Sequence, residues 1–251
     1  MRQILAGVIL LVALATPAMP DFPAPRKTEF TFARVACSYR EYRQYWPNYW
    51  PDNPPWHHDY PYSDEFITGM LHELTALDVT ADSYQIVNMD SPEIFKYPFL
   101  YLSEPGFMTL TDREIANLGE YIRRGGFVMA DDFRTGAYLG DGDELEVLRH
   151  YLKLAVPEYK FVQLDIHHPV FHQFYDIDTL DMKPPYGEEV KEFVPEFWGL
   201  VDDTGKLHAI ADYNNDISEF WKWVDQGKME FHPAVRSVEL GVNYVVYAMS
   251  H

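Results

Sequence analysis

Two aspartates, Asp131 and Asp132, close an apolar run, Phe127-Val-Met-Ala130, that reads as a buried strand. Glu104 closes a second such run, Pro98 to Ser103. His57, His58, Asp59 and Tyr60 follow a third β-prone stretch, and His167 and His168 follow a fourth around residues 161–164. In an open parallel sheet, the side chains that follow the strands gather at one rim, and such folds bind ligands there. Carboxylates and imidazoles on that rim suit a divalent metal, and histidine with carboxylate is a zinc-like donor set. His57, His58 and His168 are the imidazoles on offer. No His-Glu-x-x-His or similar spacing fixes a geometry, so surface histidines and turn aspartates are the competing reading. Asp176-x-Asp178-x-x-Asp181 lacks the glycine and closing glutamate of a calcium loop.

Nucleophilic chemistry finds little support. Cys37 is the one cysteine of the chain, with Ala36 and Ser38 beside it and a proline-broken stretch after it. A cysteine nucleophile needs a sharp strand-to-helix turn with small neighbours and a histidine to activate it. No Gly-x-Ser-x-Gly occurs either. Cys37 therefore reads as a small apolar residue at a strand end. An intrachain disulfide and a multi-cysteine zinc site are both excluded.

The elements that must position the rim are readable from pattern. Residues 29–36 alternate as a strand. Ile67, Met70, Leu71 and Leu74 form one face of a helix over about 63–77. Thr111-Asp-Arg-Glu114 is a capping box, so a helix starts there, and Gly125-Gly126 ends it. With the flanking apolar runs this makes a strand–helix–strand unit, the mark of a parallel sheet. Residues 98–103 and 127–131 are thus predicted to be adjacent parallel strands. A further helix is predicted over 142–155, and a hairpin over 198–213 that turns at Asp203-Thr-Gly205. A terminal helix should bury Val235, Val238, Val242, Val245 and Met249.

The chain has 251 residues, 47% of them hydrophobic, enough for one sizeable core. Its formal net charge of −19 opposes binding to nucleic acid. Arg2, an apolar run over residues 4–15 and small residues at Thr16 and Ala18 have the order of a secretory signal peptide. That run is too short to span a bilayer, so no stable membrane span is expected. The expected organisation is a signal peptide at 1–18, an extended proline-rich linker at 19–28 and one α/β domain over 29–251. Location in the periplasm or outside the cell follows. Residues 39–62 hold nine aromatic residues between several prolines. Such a loop suits stacking on a carbohydrate or a peptide, or it folds as a lid on its own domain.

Several segments together resemble the exported bacterial family called domain of unknown function 4159. They are FTFARV, DYPYSDEFITGMLHELTAL, YPFLYLSEPGFMTLTDREIANLGEYIRRGGFVMADDF, HHPVFHQFY and the Asn214-Asn215-Asp216 triplet. The resemblance implies a three-layer flavodoxin-like α/β domain, similar to class I glutamine amidotransferases, with a mostly parallel central sheet. The loop after FLYLS, Gly-His-Gly in the family pattern, reads Glu104-Pro105-Gly106 here. No amidotransferase activity is expected without the cysteine nucleophile.

The candidate rim is then Asp59, Tyr60, Glu104, Asp131, Asp132, His168 and Asp216, roofed by residues 39–62. Crowded carboxylates repel one another, so at least one should hold its proton to raised pH. Tyr60 would donate from its hydroxyl, and His168 would carry a proton or ligate a metal. Alternatively, Asp131 and Asp216 serve backbone N–H groups of loops. Three functions compete: a non-catalytic domain that binds a small polar ligand or a partner, a metal-assisted hydrolase acting on a carbohydrate or other polar substrate, and, last in order, a purely structural subunit of an envelope assembly.

Overall fold

The computed structural model describes residues 29–40, 53–135, 143–185 and 193–251. The segments read as signal peptide and linker, and residues 41–52 of the aromatic loop, lie outside the described residues. Seven strands form one sheet: β1 (Phe32–Ala36), β2 (Tyr84–Asn88), β3 (Phe99–Ser103), β4 (Phe127–Phe133), β5 (Lys160–Gln163), β6 (Glu196–Val201) and β7 (Leu207–Tyr213). Their spatial order is β2-β1-β3-β4-β7-β6-β5. The first five strands in that order run parallel, and β6 and β5 add an antiparallel edge.

The strand–helix–strand reading holds in detail. β3 and β4 pair in parallel, from Phe99 opposite Phe127 to Ser103 opposite Asp131. Between them runs α2 (Asp112–Arg123), which starts on the full capping box: the Thr111 side chain accepts from Glu114 N–H, and Glu114 reaches back to Thr111 N–H. Leu118 and Ile122 of α2 are buried, each contributing about 1.5–3 kcal/mol by leaving water. The hairpin of β6 and β7 is also present.

Helices cover both faces. α2 and α3 (Glu144–Ala155) pack on one side through Leu118, Leu145, Leu148 and Leu152. α1 (Tyr62–Leu74), α4 (Ile217–Trp223) and α5 (Phe231–Ser250) pack on the other through Ile67, Leu71, Trp221 and Leu240. Of the expected buried face of α5, Val242 and Val245 are buried and Val238 and Met249 pack against the core, while Val235 is 40% exposed. Ala234, Ser237 and Tyr244 are buried as well. Gly241 lets the helix approach Trp221 closely, because a Cβ there would lie 2.5 Å from the indole ring. No helix among the described residues is long and apolar enough to cross a membrane.

Candidate functional site

The carboxyl ends of β1, β3, β4 and β7 meet at one rim. Among the described residues, four non-glycine residues have positive φ: Asp59, Glu104, Asp132 and Asn214. All four lie at this rim, on the connections after β1, β3 and β7 or in the bulge that ends β4. Left-handed backbone costs an ordinary side chain about 1 kcal/mol or more, and such strain gathers at functional sites. Asp and Asn tolerate it best; Glu104 is the residue for which the geometry is least natural. A sharp elbow therefore does follow β3, and its occupant is an acid. Gly106 lies two residues on, where any Cβ would meet the Glu144 side chain at 2.5 Å. Glycine there lets the start of α3 close on the elbow.

His58 is the centre of the rim. Its Nδ1 bonds Asp132 Oδ2 and lies 3.7 Å from Glu104 Oε1. Its Nε2 lies 3.7 Å from Asp59 Oδ1, and Glu219 stands close by on the same side. One imidazole thus links two pairs of acids, and each pair with His58 brings its donor atoms within 4.8 Å of one another, near enough for one cation. The two sides differ in charge. Lys222 Nζ lies 2.8 Å from Asp59 Oδ1 and 3.6 Å from Glu219 Oε2. On the other side Glu144 adds a third carboxylate, facing Glu104 and Asp132, and the charge of Arg134 acts on both glutamates.

Titration follows from this layout. Burial works against the charged imidazole, but Asp59 and Asp132 outweigh it and raise His58 to about 9. Burial also opposes the Asp59 carboxylate, yet His58 and Lys222 win and lower it to about 2. Burial, then Asp132 and Glu144, hold Glu104 well above the usual carboxylate range. Burial raises Glu144 and Glu219 to about 7.

A buried arginine holds His58 in place. Arg34 of β1 is fully buried and ion-pairs with Asp64 at 2.6 Å. Its Nη1 donates to the carbonyls of Trp56 and His58, at 3.1 and 2.8 Å, and its Nη2 to Ser63. The guanidinium lies 4.6 Å from the centroid of the Tyr101 ring. The loop that presents His58 and Asp59 is thereby tied to the sheet. The fixed fork of guanidinium donors suits it to this task, since one group can serve a carboxylate and two carbonyls at once.

The other expected site residues fall into two groups. Asp131 and Asp216 lie at the rim but serve the start of α4. Asp131 accepts from Ile217 N–H, Ser218 N–H and the Tyr101 hydroxyl, at 2.9–3.0 Å. Asp216 caps the helix through Glu219 N–H at 2.8 Å. α4 in turn carries Glu219 and Lys222. Burial raises Asp131 to about 7 despite these donors, and burial with Asp132 holds Asp216 well above the usual range.

His168, His57 and Tyr60 do not join the carboxylates. After β5 the chain turns back over the face that α5 covers, and His168 packs near Phe171 and Tyr247. Tyr247 touches Phe127 and its hydroxyl oxygen accepts from Leu207 N–H, and these are the first residues of β4 and β7. His168 therefore sits toward the opposite end of the sheet, and its Nδ1 accepts from Val170 N–H. Tyr60 packs edge-on against His57 and Tyr84, and its charged neighbours are Asp64, Arg34 and Glu65. Burial and Arg34 lower His57. Glu219, Lys222, Glu144 and Arg34 were not among the expected site residues. The i,i+3 spacing of Glu219 and Lys222 just after Asp216 was the available signal for two of them.

Cys37 contributes no nucleophile, since burial pushes its thiol up and keeps it protonated. Tyr39, the first aromatic of the loop, donates its hydroxyl to the Ser103 carbonyl beside the elbow.

A family model described as Domain of unknown function (DUF4159) matches residues 32–249, and the chain belongs to that family. No curated protein matches the chain in sequence.

Proposed function

We propose that this family member is an exported domain that binds a small polar ligand at the rim through a divalent cation held by His58, Glu104 and Asp132. The observation that carries the reading is the unequal pair of acid clusters around one imidazole. Lys222 already neutralises the Asp59 and Glu219 side. On the other side Glu104 and Asp132 meet the histidine, Glu144 faces them, and Arg134 offsets part of their charge, so an external cation supplies the counter-charge these three carboxylates still lack. Nitrogen with carboxylate oxygen suits zinc or manganese. A cation there would keep open positions toward the ligand, because the protein supplies only three donors.

Export is supported by the n-, h- and c-region order of the first 18 residues. The order β2-β1-β3-β4-β7 of the parallel strands supports the flavodoxin-like reading, whose ligands also bind at the carboxyl ends of the strands. The sharp elbow after β3 supports the glutamine amidotransferase-like reading of the fold, and with Glu104 at that elbow no amidotransferase chemistry is expected.

One observation favours metal-assisted hydrolysis as a second reading. Glu144 stands beside the donor set without belonging to it, and burial raises it to about 7, the range a general acid needs. A carbohydrate or other polar ester or amide held by the cation would be its substrate.

Calorimetric titration of the metal-stripped protein with Mn²⁺ and Zn²⁺ tests the main reading. One cation per chain is expected, and Asp132→Asn should weaken it on the order of 100-fold. Unchanged affinity in that variant would sink the assignment. Native mass spectrometry of the exported protein would then identify the co-purifying ligand.

A further inference from the structure

The strongest feature away from the rim is the outer edge of β5. The sheet has two edge strands, β2 and β5. β2 has Ile86 and Val87 buried, whereas Lys160, Val162 and Gln163 of β5 are all exposed. Among the described residues, no strand pairs with the outer side of β5. Its ladder to β6 fixes which backbone groups point outward. Leu164 N–H donates to the Phe197 carbonyl, and Gln163 stands opposite Trp198. In an antiparallel ladder the inward and outward residues alternate. Residues 160, 162 and 164 thus turn to β6, while Phe161 and Gln163 present N–H and C=O outward.

Beside this edge runs a groove of about 410 Å³ between α3 and β5. Leu152, Val156 and Leu200 give it an apolar floor, and Arg149, Lys153 and Lys160 give it cationic walls. No acidic residue lines it, in a chain of net charge −19. The Arg149 guanidinium lies 5.2 Å from the Phe161 ring and 4.9 Å from the Trp198 ring, which are themselves stacked. That cation is therefore held over a rigid aromatic platform.

We infer that β5 is a docking edge for an extended peptide of alternating acidic and apolar residues, which adds a strand to the sheet. The outward groups of Phe161 and Gln163 supply the main-chain ladder. The apolar floor takes alternate side chains on the α3 side, and Lys153 and Lys160 select acidic ones, Arg149 being paired with Glu146 at 3.0 Å. Charge also argues against a second copy of this chain pairing edge to edge. Each copy carries a net charge of −19, so the bulk of the two surfaces repel each other. The inference stands apart from the cation reading, because the groove shares no residue with the rim.

The test uses the full domain and a fluorescein-labelled synthetic peptide of alternating aspartate and valine, read by fluorescence anisotropy. A lysine–valine peptide of the same length is the comparison. The aspartate peptide should bind and the lysine peptide should not. Gln163→Pro removes one outward N–H and leaves the β6 ladder whole. It should weaken the aspartate peptide roughly tenfold or more, and so should Lys153→Glu with Lys160→Glu. If Gln163→Pro fails to fold, the charge-reversal variant decides by itself. No binding of the aspartate peptide, or binding unmoved by charge reversal, would overturn the inference. Sedimentation showing a dimer that the charge-reversal variant alters would also overturn it, in favour of self-association.

Discussion

The two sides of the His58 ring show how one histidine can serve structure and ligand at once. On the Nε2 side, Asp59 and Glu219 are closed off by Lys222, a cation of the chain itself. On the Nδ1 side, Glu104 and Asp132 meet the imidazole and a further acid, Glu144. The acids on the two sides are chemically alike, so what differs is how closely a positive charge is held to them. The Lys222 ammonium makes a fixed, stabilising pair with Asp59 at 2.8 Å, whereas Arg134 acts on Glu104 and Glu144 through its charge. Three carboxylates against one imidazole and that guanidinium make a site whose charge balance improves when a cation arrives.

The comparison depends on His58 standing between the two sides, and Arg34 keeps it there. Arg34→Met should have the largest effect of any single change. It leaves Asp64 buried and uncompensated and releases the carbonyls of Trp56 and His58. Removing one partner of a buried ion pair costs about 3–5 kcal/mol. Denaturant unfolding should show that loss, and Mn²⁺ binding should fall with it. A variant of wild-type stability would show that the loop is held by other means.

Lys222→Met sharpens the comparison by making the two sides alike. Asp59 is buried and would lose its ammonium, at a cost of about 1–3 kcal/mol. The open Asp59–Glu219 pair should then accept a cation, so the Mn²⁺ stoichiometry should rise from one per chain to two. Part of the lost stability should return when Mn²⁺ is added. A stoichiometry of one would mean that geometry, not the ammonium, closes the Nε2 side.

What the sequence disclosed follows the range of the interactions concerned. The capping box at Thr111 and Glu114 is a local device, and the parallel pair it separates followed from it. The carboxylates Glu104 and Asp132 were reachable because each closes a recognisable apolar strand, and Asp59 because it lies on the connection that follows β1. His168 also follows a strand, yet it was misplaced. Local pattern does not show that β5 is an edge strand beyond the hairpin, nor that the chain then turns back over α5. Arg34 was hidden for a similar reason. A single charge in an apolar strand carries no sign of its partners, and Asp64 is 30 residues away. Lys222 becomes a site residue only because Asp131 and Asp216 anchor the start of α4 at the rim.

The smallest expected effect is the pH dependence, and its sign separates the acids that burial dominates from the one that cations hold charged. Asp131, Glu144 and Glu219 titrate near 7 in the folded chain, against about 4 when unfolded. Between those values the folded state binds more protons, so stability falls as pH rises from 4 through 7. His58 acts in the same direction. Its folded value of about 9 lies above the unfolded 6.5, so its contribution is complete below 6.5 and is lost as pH rises through 9. Asp59 opposes them, because its contribution is complete above about 4 and is lost only as pH falls through about 2. The melting temperature should therefore be higher at pH 5 than at pH 8, by a few degrees on the order set by a domain of this size. Glu144→Gln should flatten that slope, because a glutamine can still accept from Arg134 N–H but has no proton to lose. Mn²⁺ at pH 8 should raise the melting temperature of the wild type, and should do so less in Asp132→Asn. A melting temperature that climbs from pH 5 to pH 8 in the absence of metal would show that the acids are already compensated. The difference between the two sides of His58 would then not be one of charge.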